Sequence, residues 1–190
     1  MIIVVIGAKG GLGTTTLVER LCRFGDCVAL DAADGRLASL MAGPVRPALD
    51  LATTPQWTAG RRALMAEEVA RIRQPLLWTA ACEVWCEQVS AFVHAVSTIG
   101  LIIADGGIDP TTSLVRLADL LLIVSNDSAP ARWHEARLKA TWPEARAIVG
   151  DLPSAAQAIT EQVLGVPPRR SLLHRARHIL PEQAQIGNRK

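Results

Sequence analysis

The stretch Met1-Ile-Ile-Val-Val-Ile-Gly-Ala-Lys-Gly-Gly-Leu-Gly-Thr-Thr-Thr16 decides how the rest of the sequence is read. Met1–Ile6 is a continuous, largely β-branched run, as expected of a strand covered on both faces in a parallel sheet. It runs straight into Gly7-Ala-Lys-Gly-Gly-Leu-Gly13. From Thr14 to Phe24 the apolar residues fall at Leu17, Val18, Leu21 and Phe24, the spacing of a helix with one buried stripe, and Gly25 closes it. The order is strand, glycine loop, helix.

The alternation continues outward from there. Cys27–Leu30 reads as a strand, Leu37–Ala42 as a helix, Pro44 to Pro55 as a proline-broken stretch, and Ala59–Ile72 as a helix. Pro75–Thr79 reads as a strand. Cys82 to Val96 is a helix with Cys82, Trp85, Cys86, Val89, Phe92, Val93 and Val96 on one face. Leu101–Ala104, Leu120–Val124 and Ala147–Val149 are short apolar strands, and Pro130–Thr141, Ser154–Leu164 and Ser171–Ile179 are helices. Such βαβ repetition predicts an α/β domain with a central parallel sheet. Ligands of these sheets bind outside the carboxyl ends of the strands. Asp31 and Asp105 each follow an apolar strand directly, as the glycine loop does, so three strand ends are expected to converge on one site.

Composition narrows the class. At 190 residues, with 49% hydrophobic and 20% charged residues and a net charge of +2, the chain fits one folded domain and is not disordered. No linker, repeat or low-complexity tract divides it. No apolar stretch approaches the roughly 20 residues needed to cross a bilayer, and Met1–Ile6 lacks the basic flank of a secretion signal, so a cytoplasmic protein is expected. The charge is uneven: residues 166–190 hold 6 Lys+Arg against 1 Asp+Glu, while residues 1–165 hold 14 against 17. Only three lysines occur against 17 arginines, which singles out Lys9.

A glycine-rich turn between a strand and a helix exposes successive backbone N–H groups. The helix N-terminus adds partial positive charge, and together they cradle phosphate. Gly10, Gly11 and Gly13 supply the freedom. The standard phosphate loop, G-x-x-x-x-G-K-[ST], sends its lysine to the β/γ-phosphates and its hydroxyl to magnesium. Here Ala8 takes the first glycine position, Thr14 the lysine position, and Thr15 keeps the hydroxyl.

Ala8-Lys-Gly-Gly-Leu-Gly-Thr-Thr-Thr16 resembles the deviant loop K-G-G-x-G-K-T-T of the ParA/MinD family. The early lysine of that loop, matched by Lys9, reaches phosphates across a nucleotide-sandwich dimer. Asp31-Ala-Ala-Asp-Gly35 is similar to the family's D-x-D-x-G segment. Leu101-Ile-Ile-Ala-Asp-Gly-Gly107 is similar to its magnesium-side aspartate strand, and Leu117-Ala-Asp-Leu-Leu-Leu-Ile-Val124 to the strand beyond. The resemblance covers nearly the whole chain. It implies a three-layer sandwich around a mostly parallel sheet, a single P-loop NTPase domain over 1–190, and ATP with magnesium as ligands. Lys9, Gly10, Gly11, Gly13, Thr14, Thr15 and Thr16 would hold the nucleotide. Thr15, Asp31 and Asp105 would attend the metal, and Lys9 and Asp34 are the catalytic candidates.

Three departures bear on mechanism. Thr14 removes the positive charge that neutralises the transition state, so hydrolysis is expected to suffer first. The family's second, water-activating aspartate aligns with Ala33, and Asp34 stands one residue late. The Asn-Arg that flanks adenine aligns with Gly150-Asp151. Loss of the loop lysine is what the CpaE/TadZ branch looks like, whose members position pilus machinery at the cell pole. Relatives of that branch influence septum placement. The sequence opens on its first strand, so the role of the receiver-like N-terminal domain of many such proteins is not expected here.

The expected function is therefore a dimeric scaffold that localises pilus, secretion or division machinery, with weak or no ATP hydrolysis. Placement at the pole, or at a membrane through a partner, goes with it. The alternative is a working ATPase for DNA or cargo partition that uses Lys9. In that version Arg169, Arg170, Arg175 and Arg177 of the basic tail grip DNA phosphates; direct membrane binding is the least favoured use of the tail. A third reading is a scaffold with no ligand. Cys82 and Cys86 stand four apart, a spacing open to metal binding, but their apolar neighbours favour buried thiols. Cys22 and Cys27 read as core, and Trp133 and Trp142 as either a contact surface or buried.

Overall fold

A computed structural model describes residues 1–23, 27–41, 45–47, 76–79, 87–98, 100–163 and 165. Among the described residues seven strands form one sheet: β1 (Ile2–Gly7), β2 (Val28–Asp31), β3 (Val45–Pro47), β4 (Leu76–Thr79), β5 (Ile102–Asp105), β6 (Leu120–Ser125) and β7 (Arg146–Val149). Their order is β3-β4-β2-β5-β1-β6-β7, and every pairing is parallel.

Residues of β1 alternate between faces because successive side chains of a strand point oppositely. Ile2, Val4 and Ile6 enter one core cluster, and Ile3 and Val5 enter the other. Both clusters are sealed by helices, which is why the run is apolar without a polar alternate. On one face lie α1 (Thr14–Cys22), α2 (Arg36–Leu40) and α6 (Leu152–Val163), contributing Leu17, Val18, Leu21, Leu37, Ala156 and Ile159. On the other lie α3 (Glu87–Ser97), α4 (Thr112–Arg116) and α5 (Ala129–Thr141), contributing Val89, Phe92, Val93, Leu114, Val115 and Ala131. This is the three-layer sandwich that the resemblance implies, around the parallel sheet that the alternation of elements predicts.

Two elements differ from the sequence reading. Val45–Pro47 is an edge strand inside the stretch read as broken by prolines. An edge tolerates a proline because one side of its backbone needs no ladder partner. Helix α4, capped by the Thr111 hydroxyl accepting from the Leu114 N–H at 3.3 Å, is only five residues long. The expected helices at 59–72 and 171–179, and Cys82 and Cys86, lie outside the described residues.

Strand β1 lies between β5 and β6, yet the chain leaves it for β2 on the far side of β5. The loop after β1 therefore sits where the strand order switches direction, with the ends of β2 and β5 beside it.

Candidate functional site

The glycine loop is pinned at its root and open at its tip. The Gly7 N–H donates to the Gly107 carbonyl at 2.7 Å, and the Ala8 N–H to the Val124 carbonyl at 2.9 Å, tying the loop to both neighbouring strands. A Cβ on Gly7 would lie 2.7 Å from the Thr14 Oγ1, so the Thr14 hydroxyl occupies the space beside that backbone. Gly11 and Gly13 have positive φ, 78° and 86°, which disfavour any residue with a Cβ. Gly13 is also where Leu152 of α6 meets the loop: a Cβ there would lie 2.5 Å from its Cδ1.

Helix α1 begins without a side-chain cap and with no acidic residue in its first turn. Its first intrahelical bond is from the Leu17 N–H to the Gly13 carbonyl at 2.8 Å. The N–H groups of Thr14, Thr15 and Thr16 are thus left as unsatisfied donors at a positive helix end, with no acceptor among the described residues. They border a cleft of about 620 Å³, within the roughly 300–1,000 Å³ range of small-molecule sites.

Three walls enclose that cleft. Lys9 to Thr16 form the first; Ala33, Asp34, Arg36, Ser39 and Leu40 from the β2–α2 turn form the second; Asp105 to Asp109 form the third. Every sequence-derived site residue except Asp31 lines it. Lys9 is exposed and makes no ion pair with a described residue.

The carboxylates behave differently from one another. Asp31 and Asp105 are register partners on adjacent strands, and both are buried. Asp31 serves its own turn: Oδ1 accepts from the Ala33 and Gly35 N–H groups at 3.1 and 3.3 Å, and Oδ2 from the Leu37 N–H at 3.0 Å. These bonds tie the carboxylate to its turn, while Oδ2, with one donor, keeps a lone pair unused by them. Asp105 uses Oδ1 for the Gly107 N–H at 3.0 Å, while its buried Oδ2 has no hydrogen-bond partner among the described residues. Burial pushes its carboxyl above the ordinary value, against the pull of the Thr15 hydroxyl and the Gly107 N–H, and the charges of Asp31 and Asp34 push the same way as burial. A buried, unpartnered carboxylate oxygen beside a threonine hydroxyl suits a hard divalent cation that keeps several waters.

Asp34 reaches the cleft but is engaged by Arg36. Its Oδ1 accepts from the Arg36 N–H at 3.2 Å, and its Oδ2 pairs with the Arg36 Nε at 3.0 Å. The sequence reading passed over Arg36; its signal was a cation directly after the Asp-Gly of the turn. Ala33, standing for the water-activating aspartate, would lie 3.0 Å from a Cβ built on Gly107, so the turn packs closely on the loop after β5.

The remaining candidates fall away from the cleft. Cys22 and Cys27 are buried, and the Cys27 thiol together with burial pushes the Cys22 thiol well above its ordinary value, which keeps it protonated. Among the described residues no group of three or more His, Cys, Asp or Glu side chains is placed to hold a metal. Trp133 is 61% exposed with the Arg137 guanidinium 5.9 Å from its ring centre, whereas Trp142 packs on the core. The tail arginines lie outside the described residues. No described helix is long and apolar enough to cross a membrane.

A parallel sheet with a glycine loop leading from a central strand into a helix, and with β5 inserted between β1 and β2, is the P-loop NTPase architecture rather than the dinucleotide-binding one, in which the first two strands are neighbours. Within it, the fold is that of ParA/MinD-type ATPases. The chain is similar to a ParA family ATPase from Chlorobium tepidum at 19% identity and a TM-score of 0.61, covering 88% of this chain and 82% of that one. It is similar to a chain of the MinC:MinD cell division protein complex from Aquifex aeolicus at 22% identity and a TM-score of 0.56, covering 78% of this chain and 66% of that one. A second Aquifex aeolicus structure, the MinD cell division protein, matches at 19% and 0.53, covering 91% and 84%. No protein-family model matches the sequence, and no curated protein matches it.

Proposed function

We propose that this chain is a single-domain nucleotide-binding positioning protein: a dimeric scaffold that takes ATP with magnesium, hydrolyses it slowly or not at all, and recruits pilus, secretion or division machinery. One observation carries the reading. The phosphate loop keeps its amide donors free at the mouth of a cleft, while the position of its lysine holds Thr14. The amides of the loop and of Thr14–Thr16 would bind phosphate oxygens. Thr15 and Asp105 would hold the metal, whose charge neutralises the phosphates. Asp31 shapes the turn, and Lys9 is left free at the rim to meet a second subunit. Without a lysine at position 14 or a carboxylate at position 33, the chain lacks two groups that stabilise the transition state and orient water. The solved MinC:MinD complex, a cell division assembly, supports a protein partner by analogy of fold.

Isothermal titration with ATP and magnesium, paired with a turnover assay, tests this. Saturable binding with turnover far below that of partition ATPases is expected; brisk turnover overturns it. No thermal shift at millimolar ATP would favour the ligand-free scaffold instead.

The exposure of Lys9, with no ion-pair partner among the described residues, favours one second reading: an active partition ATPase in which Lys9 does the work of the missing lysine and Arg169, Arg170, Arg175 and Arg177 grip DNA. Lys9→Ala would then abolish turnover, and DNA binding would be ATP-stimulated and salt-dependent. A cytoplasmic location, at the pole or at a membrane through a partner, belongs to the first reading.

A further inference from the structure

Among the described residues that line the cleft, two side chains carry a positive charge, Lys9 and Arg36. In the proposed dimer Lys9 serves the neighbouring subunit, which leaves each subunit's own phosphates with no side-chain cation on the glycine loop. From the facing wall we infer that Arg36 supplies it: its guanidinium binds the polyphosphate of the nucleotide held by the same subunit, replacing the absent lysine from the other side of the cleft. This rests on the nucleotide-binding reading and adds to it the group that selects a polyphosphate.

Three observations carry it. Arg36 stands in the wall opposite the glycine loop, at the start of α2, so its side chain borders the same space as the free amides of Thr14–Thr16. It lies beside Asp34, which accepts from the Arg36 N–H and pairs with Nε. That leaves the two terminal nitrogens without a partner among the described residues, and their paired donors match two oxygens of a phosphate. Finally, the Asp34–Arg36 pair is exposed, with side chains 55% and 75% accessible. Such a pair holds weakly, so the guanidinium can shift toward an arriving polyanion at little cost. A delocalised, permanently charged fork also differs from the lysine it replaces: it binds phosphate in a fixed plane rather than as a point charge.

The test is titration of the full chain, wild type and the variants Arg36→Ala and Arg36→Lys, with ATP and magnesium and separately with inorganic tripolyphosphate. Thermal unfolding of each ligand-free variant runs alongside. Arg36→Ala is expected to weaken both ligands about tenfold or more, the scale of one charge-assisted hydrogen-bonded contact. It should also flatten the salt dependence of binding and leave ligand-free unfolding close to wild type. Arg36→Lys should recover part of the loss. If wild type binds and Arg36→Ala binds both ligands within twofold of it, this inference is overturned while the nucleotide site stands. Arg36→Lys as weak as Arg36→Ala, with both unfolding early, overturns it in favour of a structural role. If wild type binds neither ligand, both this inference and the nucleotide reading fall.

Discussion

Two turns face each other across the cleft, and they spend their polar groups in opposite ways. The glycine loop after β1 leaves donors unused: the amides that open α1 have no acceptor among the described residues, and no acidic side chain caps them. The β2–α2 turn consumes its acceptors: Asp31 is taken by three backbone N–H groups, and Asp34 by Arg36. Unused donors at the open start of a helix are available to an anion. A turn that satisfies itself is built for shape. The difference separates the phosphate binding proposed for the loop from the water-orienting chemistry, for which the facing turn offers no carboxylate at position 33.

The contrast can be broken from the self-satisfied side first. Asp31→Ala strands three N–H groups, one of them fully buried, and is expected to destabilise the fold by about 3 kcal/mol in denaturant unfolding. Asp31→Asn, which keeps an acceptor oxygen, should lose less. If Asp31→Ala were neutral, the turn would not depend on its carboxylate. On the loop side, Gly13→Ala forces a Cβ onto a left-handed residue and against Leu152. A stability loss of about 1–2 kcal/mol is expected, together with loss of ATP binding by titration, since the amides that follow would be displaced.

A cation can be restored at position 14. Thr14→Lys is expected to tighten ATP binding about tenfold, near 1.4 kcal/mol, while turnover stays slow because Ala33 is unchanged. A full recovery of hydrolysis by this one change would show that the facing turn is competent after all.

The smallest effect is a pH slope. Asp105 has a folded value raised above the unfolded one by burial. Its protonated form is the comfortable one in the empty fold. The stability it permits is fully present below the ordinary carboxylate value of 3.8 and is lost as pH climbs through the raised value. Asp105→Asn should flatten that slope in ligand-free unfolding curves and stabilise the empty protein at neutral pH. An unchanged slope would mean that another group causes it.

Much of this was legible before any coordinates. A β-branched run needs two apolar faces, so Met1–Ile6 announces a central strand, and three glycines between it and a periodic helix announce the loop. Lys9, Gly10, Gly11, Gly13, Thr14, Thr15, Thr16, Asp34 and Asp105 all reach the cleft they were expected to share. What escaped was short or depended on backbone direction. Val45–Pro47 and Thr112–Arg116 are too brief to show a period. Asp31 follows a strand as Asp105 does, and spacing alone does not reveal that one carboxylate folds back onto its own turn while the other keeps an oxygen unpartnered. Arg36 escaped because its importance comes from the opposite wall, which is near in space and distant in sequence.

The amides of the glycine loop can themselves be watched by NMR. Backbone N–H resonances of the isotopically labelled full chain, titrated with ATP and magnesium, should shift and saturate at Gly10, Gly11, Gly13, Thr14, Thr15 and Thr16. Those of the opposite sheet edge should stay in place. Resonances at these six positions that remain still at millimolar ATP, or a response confined to another part of the molecule, would contradict the account.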